Sequence, residues 1–176
     1  YEVLSLDNPK SAPRALKLLL SQGVEETQRA RFLREARLMR ECQHPNLIAL
    51  YDFGEFEGRF FLVMDKVAGL TLDCALRKQL PLQNRLLGWV REVASALRYL
   101  HERGLVHRDV KPSNVMVRDD GKVLLMDLGI ARREGISDLT QEGQVVGTPG
   151  YMAPEQISGQ SVDYRADLYS LGVLLY

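Results

Sequence analysis

Four polar side chains stand around two short apolar runs in the middle of the chain: Asp109, Lys111, Asn114 and Asp127. The runs are Val115–Val117 and Val123–Met126, and Arg118-Asp119-Asp120-Gly121-Lys122 lies between them. An Asp-Gly step between apolar runs is a hairpin signal, so the four side chains are expected at loop or strand-end positions. Two carboxylates and a carboxamide gathered there can serve a hard divalent cation such as Mg2+, which takes oxygen ligands and commonly shares them with substrate phosphates. A lysine beside them can neutralise charge on a phosphoryl group in transit.

His107-Arg108-Asp109-Val110-Lys111-Pro112-Ser113-Asn114 resembles the catalytic loop of protein kinases, and Asp127-Leu128-Gly129 resembles their metal-binding triplet. Gly147-Thr148-Pro149-Gly150-Tyr151-Met152-Ala153-Pro154-Glu155 follows in the order that family requires. Either tripeptide alone is weak; together, ordered around a hairpin, they are specific. Ala-Pro-Glu-Gln, with Gly129-Ile130-Ala131-Arg132, is similar to bacterial serine/threonine kinases of eukaryotic type. The resemblance implies an α+β, bilobal fold: a small β-sheet lobe with one helix, and a larger, mostly helical lobe. It assigns residues 1–65 to part of the small lobe and 66–176 to the hinge and part of the large one. The chain opens as though inside a strand and stops within an apolar run, so the fold is expected to be truncated at both ends, with the glycine-rich phosphate loop missing. Expressed alone, the 176 residues are expected to be poorly folded and inactive, with apolar helix surface left uncovered.

The totals agree with a globular, intracellular chain. A length of 176 residues with 45% apolar content gives room for a core, and a formal net charge of zero argues against a nucleic-acid surface. No apolar run approaches the roughly 18 residues of a membrane span. Cys42 and Cys74 are isolated; reduced thiols in a cytoplasmic protein are expected, and a disulfide stays open.

The flanking elements have to position the cluster. Tyr1–Leu6 and Ala12–Leu20 read as strands around the turn residues Asp7–Ser11. Glu25 to Cys42 reads as a helix with Phe32, Ala36 and Met39 on one stripe. His44-Pro45-Asn46 ends it, His44 being read as structural. Strands Leu47–Phe53 and Arg59–Met64 follow, then a short helix Leu72–Gln79. A long helix, Pro81 to Arg103, carries Leu86, Val90, Val93, Ala94, Leu97 and Leu100 at core spacing, with Gly104 as its cap. His101, near its C-terminus, reads as a surface residue placed well against the helix dipole.

What the kinase resemblance assigns can be stated residue by residue. Asp109 would orient the substrate hydroxyl and take its proton, and Lys111 would stabilise the γ-phosphate; lysine at that position resembles the serine/threonine branch. Asn114 and Asp127 would bind Mg2+. Lys17, in Ala15-Leu16-Lys17, would contact the α- and β-phosphates of ATP, held there by Glu35. Ala15, Met64, Asp65, Val67 and Met116 would contact the adenine end, Met64 as gatekeeper and Asp65 and Val67 through their backbones. Met39, Leu50, His107 and Leu128 would stack as an apolar spine rooted at Asp167, whose carboxylate would find backbone N–H groups of the catalytic loop. Leu128 replaces the usual phenylalanine. Arg108 resembles kinases switched on by phosphorylation of the activation segment, with Ser137 or Thr140 as the phosphosite. Thr148 would lie in the substrate-binding loop, which Glu155 would anchor. The partners implied are ATP and proteins bearing serine or threonine; a dimer for autophosphorylation and a membrane-attached parent protein are compatible with the pattern. The competing reading is a pseudokinase acting as a scaffold.

Overall fold

In the computed structural model, residues 1–3, 12–19, 25–78, 83–127 and 149–176 are described. They divide between two compact units: Tyr1–Gln43 with Ile48–Val67, and His44–Leu47 with the described parts of Ala68–Gly129 and Val145–Tyr176.

The first unit is a four-stranded antiparallel sheet with one helix. Strands β1 (Glu2–Val3), β2 (Arg14–Leu19), β3 (Leu50–Phe56) and β4 (Arg59–Asp65) lie in the order β1-β2-β4-β3. Along β4, Phe60, Leu62 and Met64 are buried in strict alternation, the period-2 signature of a strand with one covered face. Helix α1 (Glu26–Arg40) covers that face. Phe32 stacks on Phe60 with ring centroids 4.4 Å apart, Arg29 pairs with Glu55 of β3 at 2.7 Å, and Arg40 lies over Phe53. The helix begins where the Gln28 side chain accepts the Glu25 N–H at 3.1 Å, satisfying an amide that the helix itself cannot. Strand β3 runs three residues beyond its expected end, because Glu57 and Gly58 both adopt positive φ and make a two-residue turn.

The second unit is built on helix α3 (Gln83–His101) and a three-stranded sheet, β5 (Gly69–Thr71), β6 (Val115–Arg118) and β7 (Val123–Leu125), in that order. Helix α2 (Leu72–Arg77) follows β5 directly. Strand β5 had no periodic signal because it is only three residues long. It lies so close to β6 that a Cβ on Gly69 would stand 2.2 Å from the Val117 carbonyl oxygen, which only glycine tolerates. The β6–β7 turn closes with Gly121 at φ +84, its N–H donating to Arg118 O at 2.9 Å. The segment 44–47 joins this unit through backbone pairing: Leu47 bridges Leu125, and Leu125 N–H donates to Asn46 O at 2.8 Å. The buried Asn46 amide donates to Glu92 and to the Val123 carbonyl, both at 2.9 Å.

The buried face of α3 differs from the expected stripe. Trp89, Val93, Ala96, Leu97 and Leu100 are buried, while Val90 and Ala94 are half-exposed. The helix is rotated to bring Trp89 onto the hairpin, where its indole N–H donates to Gly121 O at 2.9 Å. Trp89→Phe keeps most of the apolar contact and removes this one bond, so a loss of about 0.5–1.5 kcal/mol is expected in urea denaturation. Gly104, at φ +71, terminates the helix and donates its N–H to His101 O. A one-turn helix at Pro149–Tyr151 precedes helix α4 (Pro154–Ile157) and helix α5 (Arg165–Leu175).

Candidate active site

In the second unit the chain between α3 and β6 gathers the central cluster. Asp109 Oδ2 meets Lys111 Nζ at 3.0 Å and Asn114 Nδ2 at 2.7 Å, and the same Nδ2 reaches the Asp109 carbonyl at 2.8 Å. The Asn114 amide nitrogen thus donates to two acceptors of Asp109, which orients the amide and leaves Oδ1 as its acceptor end. A tight turn at Pro112–Asn114 makes this geometry, with Asn114 N–H donating to Lys111 O at 2.9 Å. Met126 N–H donates to the Asn114 carbonyl at 2.8 Å, so Asp127 follows a residue whose backbone is bonded to Asn114. Asp127 has φ +53, a left-handed conformation that carboxylate and carboxamide residues tolerate better than others.

The loop carrying Asp109 is held from beneath by Asp167 on α5. This carboxylate is fully buried and accepts the N–H groups of His107 (2.8 Å) and Arg108 (2.6 Å). His101 Nε2 lies 2.7 Å from its Oδ2, with the imidazole 14% exposed. His101 is therefore not the surface residue the sequence suggested. The last turn of α3 points it at a carboxylate 66 positions away, a pairing that no local pattern records. His107 is fully buried, with Nε2 against Met126 O (2.8 Å) and Nδ1 accepting Asp109 N–H (3.3 Å). Arg108 takes φ +66 between these anchors.

In the first unit, register decides which residues share a face. Lys17 stands opposite Leu62 and Ala15 opposite Met64, and antiparallel partners project to the same side. Ala15, Lys17 and Met64 therefore occupy the face that α1 covers. On α1, Glu35 follows Phe32 by three positions and precedes Met39 by four, which puts it on the sheet-facing side. Asp65 donates its N–H to Ala49 O at 3.1 Å, and its side chain accepts the Tyr51 hydroxyl at 2.7 Å. That hydrogen bond, then burial, raises the Tyr51 pKa. Val67 is half-buried just past β4, and Met116 lies on β6 in the second unit opposite Leu124.

His44 is held by structure: its Nδ1 accepts Asn46 N–H and its Nε2 lies 3.2 Å from Ser95 Oγ. Burial, then the Arg103 guanidinium, lowers its pKa, which favours a neutral ring. Cys42 and Cys74 are free thiols, the first buried and the second exposed. Ser137, Thr140, Thr148, Leu128 and Gly129 lie outside the described residues. Glu155 is half-buried on α4. Where His101 was misread as a surface residue, Gln156 was given no role: its amide donates to Arg108 O at 2.9 Å and accepts Ala153 N–H at 3.0 Å. The Ala-Pro-Glu-Gln stretch contained the signal, but not the partner 48 positions upstream.

The donor set suits a hard cation that also binds phosphate. Among the described residues no group of three or more His, Cys, Asp or Glu could hold a metal by itself; the oxygens that could serve one at this cluster are those of the Asn114 carboxamide and the Asp127 carboxylate.

The protein kinase domain family model matches residues 3–176. Serine/threonine-protein kinase PknJ of Mycobacterium tuberculosis is 43% identical over 181 residues, covering 100% of this chain and 30% of that protein. Serine/threonine-protein kinase PknD of the same organism is 40% identical over 171 residues, covering 96% of this chain and 26% of that one. The crystal structure of the Mycobacterium tuberculosis PknI kinase domain superimposes with a TM-score of 0.79 at 35% identity, across 99% of this chain and 66% of that one. The chain thus spans under a third of the curated relatives' length and about two-thirds of the solved kinase domain. With its sheet-and-helix unit, its helical unit and the Asp109 loop in place, the chain belongs to the protein kinase domain family.

Proposed function

We propose that the protein carrying this chain is an ATP-dependent serine/threonine kinase of the bacterial eukaryotic-like type, acting in signalling from the cytoplasm. The observation that carries the reading is the Asp109 carboxylate, held by Lys111 at 3.0 Å and Asn114 at 2.7 Å. Phosphoryl transfer needs positioning and charge neutralisation more than covalent help, and this cluster offers both. Asp109 orients the incoming serine or threonine hydroxyl and accepts its proton as the oxygen bonds to the γ-phosphorus, the bond from that phosphorus to the β–γ bridging oxygen breaks, and ADP leaves. Lys111 carries positive charge to the equatorial oxygens of the group in transit. Asn114 and Asp127 would hold Mg2+, which when bound offsets charge on the phosphates. The first unit contributes Lys17, with Glu35 to hold it, for the α- and β-phosphates. Ala15, Met64, Asp65, Val67 and Met116 contribute to the adenine end.

We assign residues 1–65 to the small lobe and 66–176 to the hinge and large lobe. Arg108 is the residue that a phosphate on Ser137 or Thr140 would engage, and Thr148 and Glu155 belong to the substrate-binding loop. Among the described residues no helix is long and apolar enough to cross a membrane.

The test is phosphate incorporation by the full-length protein carrying this chain into a generic protein substrate with Mg-ATP. Phosphoserine or phosphothreonine is expected, and it should be abolished by chelating the metal. Asp127→Asn removes one anionic oxygen from the metal set and is expected to raise the Mg2+ concentration for half-maximal rate by at least about 10-fold, since even groups that only support a ligand are worth about 10–100-fold. Full-length wild-type protein that binds ATP without any incorporation would leave the scaffold reading.

A further inference from the structure

The peptide unit joining Arg108 to Asp109 has both of its polar atoms tied. Its N–H, on Asp109, donates to His107 Nδ1 at 3.3 Å, and its carbonyl, on Arg108, accepts Gln156 Nε2 at 2.9 Å. The preceding unit is tied as well, since Arg108 N–H donates to Asp167. Two consecutive peptide planes of fixed orientation determine where the Asp109 side chain starts. Arg108 sits between them at φ +66, a backbone state that neighbouring contacts have to enforce.

Of these ties, Gln156 alone comes from the segment that leads on from the kinase substrate-binding loop. Its amide divides its work: Oε1 accepts Ala153 N–H at 3.0 Å, closing the start of α4, and Nε2 reaches the catalytic loop. Ser170 fastens the same segment to α5, its hydroxyl lying 2.7 Å from Tyr151 O. Residues 149–157 are therefore linked to α5 at one point and to the Asp109 peptide at another.

We propose that Gln156 is a positioning residue for phosphoryl transfer, coupling the conformation of the 149–157 segment to the aim of the Asp109 carboxylate. Substrate seated against that segment would then act on the proton acceptor through one amide hydrogen bond. The proposal rests on the kinase reading above. It requires a donor at this position, beyond a side chain of the right size.

Three variants of the full-length protein carrying this chain separate the donor from the cap. Gln156→Glu keeps shape and the acceptor for Ala153 N–H but sets an acceptor-only carboxylate against the Arg108 carbonyl. Its kcat is expected to fall about 10–100-fold, as misplacement of a reacting group by about 1 Å can produce, with thermal midpoint and KM for Mg-ATP near wild type. Gln156→Met lacks both bonds and should lose kcat and thermal midpoint together. Gln156→Lys restores a donor without the acceptor and should recover kcat well above that of the Met variant. A folded Glu variant with wild-type kcat overturns the coupling; should the Glu variant not fold, equal kcat for the Lys and Met variants overturns it. Absence of incorporation by wild type instead overturns the enzyme reading itself, and the coupling with it.

Discussion

Asp109→Asn is expected to lower kcat for phosphoryl transfer about 10²–10⁴-fold, the range that removal of a positioned general base produces. The substitution keeps the shape and one acceptor, so Asn114 can still donate to Oδ1 of the new amide. What disappears is the negative charge facing Lys111 and the capacity to take a proton from a serine or threonine hydroxyl. The Lys111–Asp109 pair is mostly covered, its side chains 17% and 14% exposed, but it still borders solvent. Losing it should cost only about 1 kcal/mol of stability, because partly solvated pairs gain little net energy. Initial-rate kinetics together with a thermal midpoint therefore distinguish the roles: a large fall in kcat with an almost unchanged midpoint identifies chemistry. Wild-type turnover in a folded Asn variant would mean that the carboxylate only orders its loop.

The parts of the fold that could be read beforehand are those where a local pattern has one physical solution. The Asp-Gly step between valine-rich runs gives a hairpin because Gly121 supplies the positive φ the turn demands. Phe32, Ala36 and Met39 mark the buried face of α1 because spacings of three and four share a helix face. On α3, Val93, Leu97 and Leu100 are buried as their spacing indicated, but Trp89 escaped the pattern, since its indole answers to a carbonyl in the hairpin rather than to its own helix. At the site, residue types around Asp109 could be chosen from the chemistry phosphate requires. The supports could not be chosen that way: His101 and Gln156 act across 66 and 48 positions. Each also has an ordinary local explanation, a helix terminus for one and a short helix's first turn for the other.

Asp167→Ala should be the most damaging single change to stability. The carboxylate is fully buried and gathers three polar groups, the N–H of His107 at 2.8 Å, the N–H of Arg108 at 2.6 Å and His101 Nε2 at 2.7 Å. Truncation to alanine strands all of them where water does not readily replace the lost acceptor. At about 1–3 kcal/mol for each unsatisfied group, three groups give a total of about 3–9 kcal/mol, a large share of a domain's usual 5–15 kcal/mol. Asp167→Asn is the sharper control, since its amide can accept one N–H but must turn its NH2 toward the other donors. It should lose less stability than alanine and still loosen the loop. Amide hydrogen exchange at His107 and Arg108 reads this directly. Faster exchange in both variants, in the order Ala above Asn above wild type, is expected if the carboxylate organises the catalytic loop. Unchanged protection in the alanine variant would mean that packing around His107 holds the loop without it. Because Asp109 follows these two amides in the chain, a rise in their exchange rate should be matched by a fall in kcat across the same series.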